Sequence, residues 1–248
     1  MNKPDKKLWE GITPEARALL RTREYSSTTM AERLRDPGVE VGELLAVDRA
    51  DASLKAAWIP GVEVFARTVH PQPYRGVFGE FVRRDEGVLK EIGLWPVQWA
   101  AARMFAGTAK GFHIHPPSIP EGADAAEWFK KMFSRPAANV GSRPYEKEQW
   151  DVIFFVQGRV EVFLRDARAG LDNRVMRFFV DGDNRRGRNN AGLVVPAGVA
   201  HAMRVEGSED VIMVYGTSTC FHPEFEGRIA SEIETASLPE SWASFLRS

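Results

Sequence analysis

Residues 151–164 read DVIFFVQGRVEVFL. Two apolar runs, VIFFV and VEVFL, are rich in β-branched and aromatic residues and too short for helices. They meet at Gln157-Gly158-Arg159, so the stretch predicts two strands joined at a glycine turn. The same texture spreads outward. Upstream, residues 61–68 (GVEVFART) and 76–82 (GVFGEFV) alternate apolar and polar side chains, and 99–105 is a third candidate. Downstream, 175–180, 192–195 and 211–215 follow, separated by turn signals such as Gly182-Asp183-Asn184 and Asn189-Asn190. Many short strands at close spacing predict an all-β sandwich or jelly roll rather than a parallel α/β sheet.

The flanks differ. Residues 1–60 read as a helical, peripheral extension. Thr13-Pro14-Glu15 is a capped helix start, 27–35 a second helix, and 42–55 a third. Residues 61–230 form the β-barrel unit, with an insertion at 116–150. Within it, 124–133 (DAAEWFKKMF) is an aromatic helix that suits a lid or a packing face. Residues 231–248 end in a short helix, PESWASFL.

The chain of 248 residues is 44% hydrophobic with a net charge of −1. Its interspersed charges give no footprint for nucleic acid or a membrane surface. Arg185, Arg186 and Arg188 read as a solvated turn. The single cysteine, Cys220, excludes an internal disulfide. The N-terminal MNKPDKKLWEG lacks the apolar run of a secretory signal, and no stretch approaches a membrane span. The expectation is a cytoplasmic protein acting on a small molecule.

Three of the five histidines fall in two patterned segments, GTAKGFHIH (107–115) and VPAGVAH (195–201). On a strand, residues i and i+2 share a face, so His113 and His115 project together. Pro196 and Gly198 suit a tight turn delivering His201 from a neighbouring strand. Asp151 opens the strand that ends at Gly158, and its carboxylate completes three nitrogens and one oxygen. Such a set suits one divalent transition metal: Fe, Mn, Ni, Co or Zn. His70 and His222 match no pattern.

These segments resemble the two motifs of the cupin superfamily. Gly107, His113, His115, Asp151 and Gly158 follow the first in order, with an unusually long gap before Asp151. Pro196, Gly198 and His201 follow the second. The resemblance implies a cupin jelly roll, a double-stranded β-helix. Over residues 61–230 the chain also resembles dTDP-4-dehydrorhamnose 3,5-epimerases, themselves cupins. Arg75-Gly-Val-Phe-Gly-Glu80 resembles their Arg-Gly-x-Phe-x-Glu segment, and Lys110-Gly-Phe-His113 their Arg-Gly-Leu-His. Gln98, Gln157-Gly158, residues 195–201, Val214-Tyr215 and Pro223-Glu224 have counterparts too. This resemblance implies His113 as base, Tyr215 as acid, Arg75 and Glu80 at the nucleotide, Gln98 and Lys110 at the sugar, and a homodimer.

The departures matter more. That family has lysine where Asp151 stands and glutamine where His115 stands, and its Trp-Asp-Asp-Pro segment has no match in 229–238. Asp151 reverses the local charge and disfavours an enolate unless something positive intervenes. A divalent metal restores that charge, and the two changes together complete the metal set. One histidine cannot be both ligand and proton-abstracting base; the ligand role is favoured for His113. The leading expectation is a metal-dependent isomerase, epimerase or lyase acting beside a carbonyl, with Tyr215 as acid/base group. An Fe(II) dioxygenase is the alternative, followed by a metal-free nucleotide-sugar epimerase; a non-catalytic binding cupin ranks low.

Overall fold

A computed structural model describes residues 27–35, 38–115, 122–124, 139–140, 148–168, 174–185, 187–221 and 227–228. The helices expected from Thr13 and over 124–133 and 239–246 lie outside these residues, as does His222. In chain order the elements are α1 (Ser27–Arg33), β1 (Val39–Glu40), α2 (Val41–Ala46), α3 (Ala52–Ala57), β2 (Glu63–Ala66), β3 (Val69–Gln72), β4 (Gly76–Gly79), α4 (Val88–Glu91), β5 (Gln98–Met104) and β6 (Ala109–Ile114). There follow β7 (Asn139–Val140), β8 (Asp151–Gln157), β9 (Arg159–Asp166), β10 (Val175–Asp181), β11 (Ala191–Val195), β12 (Val199–Val205), β13 (Val211–Thr217) and β14 (Gly227–Arg228).

Two sheets pack face to face. The larger has the order β1-β10-β9-β12-β6-β14-β7, the smaller β2-β11-β8-β13-β5. Successive strands change sheet at β5 to β6, β8 to β9, β10 to β11, β11 to β12 and β12 to β13. This alternation makes the all-β jelly roll. Pairing is antiparallel throughout except where β1 joins β10 in parallel. The two runs of residues 151–164 are therefore strands, as expected, but they lie in opposite sheets. Gly158, at φ 81°, makes the crossing, and a Cβ there would meet the Asp210 carbonyl oxygen at 2.6 Å.

Inward-facing Val160, Val162 and Leu164 of β9 and Met176, Phe178 and Val180 of β10 meet Ile153, Phe155, Leu193 and Val195 of the other sheet in one core. The described part of the N-terminal segment, residues 27–35 and 38–60, corrects the expectation of a peripheral extension. Leu34, Val41, Leu44, Leu54 and Ile59 are fully buried in this same core, and β1 extends the larger sheet. The helix expected over 42–55 is two helices. Asp51 breaks it, because its carboxylate caps α3 by accepting from the Ser53 and Leu54 amides at 2.9 and 3.2 Å. The strand expected over 76–82 is shorter and forms a two-stranded hairpin with β3 that joins neither main sheet. No helix among the described residues is long and apolar enough to cross a membrane.

Candidate metal and substrate site

The larger sheet offers the site its key distortion. β12 pairs with β6 through His201↔His113 and then Met203↔Lys110, a shift of one residue. The extra residue sits at Gly111, whose φ is 124° and whose missing Cβ would fall 2.7 Å from Ala202. Such a bulge places residues three apart on the same face. Lys110, His113 and His115 consequently all line one cavity of about 280 Å³ between the sheets. Gln149, Asp151 and Ile153 enter it from β8 and the residues before it, and Met213, Tyr215 and Thr217 from β13. His201 and Met203 enter from β12, and Gln98 from β5. Period-2 alternation explains each of these sets.

Within the cavity three ligand-type atoms converge. One atom each of His115, Asp151 and His201 lies within 4.8 Å of the others, and all three residues are buried. His115 Nε2 is 2.8 Å and His201 Nε2 3.6 Å from Asp151 Oδ2. His201 Nδ1 faces the Val199 carbonyl at 3.4 Å, which leaves Nε2 as the lone-pair nitrogen. Burial works to raise the Asp151 pKa. The neighbouring His115, His201 and the Gln149 amide outweigh it and hold the carboxyl down to about 2. Burial, with help from His115 and Lys110, pushes His201 down to about 4 against the pull of Asp151. The pair is thus an ionised carboxylate and a neutral imidazole at neutral pH. These are the protonation states that metal coordination requires.

The expected residues separate into three groups. His115, Asp151 and His201 come together. His113 lies in the same cavity, its ring 5.8 Å from that of His201, but it does not join the converging set. Two residues span about 6.6 Å along a strand, so with His115 beside Asp151, His113 is left one step back. Tyr215, Gln98 and Lys110 also line the cavity. Arg75 and Glu80 do not. Arg75 is exposed at the turn of the β3–β4 hairpin, and Glu80 pairs with Arg83 at 2.9 Å on the surface. Both belong to a segment that leaves the main sheets, so within one chain neither borders the cavity.

Several lining residues carried no sequence signal of their own. Gln149 is almost fully buried, and its Nε2 donates to Asp151 Oδ1 at 3.0 Å and lies 3.2 Å from His115 Nε2. Its Oε1 accepts from the Thr219 hydroxyl at 2.6 Å. Gln149 stands two residues before Asp151, so strand parity alone could have found it. Phe221 stands at the mouth, its amide donating to Gln98 Oε1 at 2.6 Å.

No family model matches the chain. It is 27% identical over 181 residues to the spore coat polysaccharide biosynthesis protein SpsL of Bacillus subtilis (strain 168), covering 71% of this chain and 93% of that protein. A dTDP sugar isomerase from Desulfovibrio desulfuricans G20 superposes with a TM-score of 0.51 at 12% identity, covering 69% of this chain and 85% of the other. NovW, a 4-keto-6-deoxy sugar epimerase from Streptomyces spheroides, aligns at 18% identity over 68% of each chain with a TM-score of 0.47. The fold expected from the two histidine motifs is the fold observed: a cupin jelly roll, shared with the Desulfovibrio dTDP sugar isomerase.

Proposed function

We propose that this protein is a metal-dependent cupin isomerase or epimerase acting beside a carbonyl of a sugar-derived substrate. The observation that carries the reading is the convergence of His115, Asp151 and His201 in a cavity that also presents His113, Tyr215 and Lys110. The names of the similar proteins, a polysaccharide biosynthesis protein and a dTDP sugar isomerase, support a sugar substrate. His115, Asp151 and His201 would hold one divalent ion from the Fe, Mn, Co, Ni and Zn group. When bound, that ion supplies Lewis-acid stabilisation of negative charge on a carbonyl oxygen.

The chain's own residues supply the rest. His113, outside the ligand set, takes the proton from the carbon beside the carbonyl; the C–H electron pair moves into an enolate. Tyr215 returns a proton to that carbon from its phenol. Delivery to the opposite face inverts the centre, and the phenolate recovers its proton from solvent or from His113. Lys110 and Gln98 hold the substrate, and Met203, Met213 and Ile153 keep water from the enolate. Arg75 and Glu80 can meet substrate only in a second copy's cavity, which fits a homodimer; sedimentation equilibrium checks that state.

The test is solvent deuterium exchange. Protein incubated in D₂O with a nucleotide-linked 4-keto sugar is expected to incorporate deuterium beside the carbonyl, to lose that activity on chelation, and to regain it with Mn(II) or Co(II). Full exchange in the chelated protein would instead establish a metal-free epimerase. Two histidines and one carboxylate also form the set used for oxygen activation by Fe(II), so a dioxygenase is the second reading. Iron-dependent oxygen uptake would favour it, and unchanged turnover without oxygen would remove it.

A further inference from the structure

The proposed ion has three converging protein ligands, and a fourth polar group occupies the same space. The Gln149 side-chain amide lies 3.0 Å from Asp151 Oδ1 and 3.2 Å from His115 Nε2. Donor atoms about 2.0–2.2 Å from a common ion lie roughly 2.8–3.1 Å apart at octahedral angles and roughly 3.3–3.6 Å apart at tetrahedral ones. The separations of His115 and His201 from Asp151 Oδ2, 2.8 and 3.6 Å, mark the two ends of that span, and the Gln149–His115 separation of 3.2 Å lies within it; the 3.0 Å contact is to Oδ1, the other carboxylate oxygen. The amide thus stands beside His115 Nε2 at a spacing that a coordination shell also uses.

Its present orientation turns Nε2 toward Asp151. That suits a bare carboxylate, which needs a donor. It opposes a cation, because the amide hydrogens carry positive charge. Rotation by 180° about the last side-chain bond exchanges the two ends without moving the chain. Oε1 then faces His115 and Asp151, and Nε2 faces Thr219 Oγ1. Thr219 tolerates both states. Its hydroxyl now donates to Oε1 at 2.6 Å, and it has lone pairs to accept from Nε2 instead. Thr219 thus works as a latch that holds the amide in either orientation.

We infer that Gln149 is a fourth protein ligand, its amide turning over to present Oε1 to the ion held by His115, Asp151 and His201. The inference rests on the metal reading above. An amide oxygen is a neutral ligand, so the set keeps a single negative charge and leaves the remaining positions to substrate oxygens.

The experiment strips the full-length protein with a chelator and titrates it with Co(II). Calorimetry and the visible spectrum of the ion, which reports ligand number and type, are read for wild type, Gln149→Ala, Gln149→Glu and His115→Ala. Gln149→Ala is expected to weaken Co(II) binding roughly 10- to 100-fold and to alter the spectrum. Gln149→Glu is the decisive variant. As a ligand, the added carboxylate binds Co(II) at least as tightly as wild type. As a mere support for Asp151, Gln149 would leave wild type and Gln149→Ala with the same ligand number in the spectrum, and Gln149→Glu alone would change it. That second result, an unchanged spectrum in Gln149→Ala, overturns the inference. His115→Ala separates the two levels: lost binding there with no effect at Gln149 removes only the fourth ligand, whereas unchanged binding in His115→Ala removes the metal reading itself.

Discussion

Asp151 and His201 share one buried point, and burial opposes the charged form of each. For Asp151 its neighbours win, and for His201 burial wins. The signs have consequences for the metal-free protein. His201 is lowered from about 6.5 unfolded to about 4 folded, so the unfolded chain binds the extra proton first. Stability is complete above pH 6.5 and falls as pH drops toward 4, by about 3 kcal/mol from this residue. Asp151, lowered from 3.8 to about 2, adds a further loss only as pH falls through that lower window. Urea unfolding between pH 7 and 4 measures the first effect, and His201→Asn should flatten it; an equal slope in that variant would refute the assignment. At neutral pH, Tyr215→Phe is expected to lower inversion of the centre by about 10²- to 10⁴-fold while Co(II) affinity stays within a few-fold of wild type. His113→Asn should behave likewise, and a collapse of Co(II) affinity in His113→Asn would return that histidine to the ligand set.

Among the elements, β6 carries the most chemistry and is the least regular. Its bulge at Gly111 brings Lys110 and His113 to one face, which regular alternation would have separated. Gly111→Ala would add a Cβ against the backbone of His201 and Ala202 at a left-handed φ. It should destabilise the fold by roughly 2–4 kcal/mol in urea unfolding and lower Co(II) affinity with it. That bulge also marks the limit of what the sequence discloses. The apolar runs of β8 and β9 were legible because buried strands need them. Their placement in opposite sheets was not, since Gly158 permits a hairpin as readily as a crossing. His115, Asp151 and His201 were legible because imidazoles and carboxylates at those spacings have few other uses. Gln149 was silent, because a lone amide near an aspartate has many. β3 escaped notice because Pro71 argues against a strand, yet in a two-stranded hairpin an unpaired edge accommodates it. Residues 38–60 read as an appendage because short helices carry no sign of which surface they cover.

Over the whole molecule the site bridges the two sheets, with His115 and His201 entering from the larger and Asp151 from the smaller. An ion held there ties them together. At a free metal concentration 100 times its Kd it should add about 2.7 kcal/mol, which for a chain of this size is a rise in Tm of about 5–10 °C. Calorimetry before and after chelation checks this, and an unchanged Tm would count against the site. The strand alternation that builds this bridge also fixes when it can form. His115 and Asp151 are 36 residues apart and belong to opposing layers, so their atoms meet only once the sandwich has closed. Interactions absent from the transition state change the rate of escape from the native basin and not the rate of entry. The ion should therefore act as a kinetic clasp: chevron plots with and without it should share a folding limb and differ in the unfolding limb.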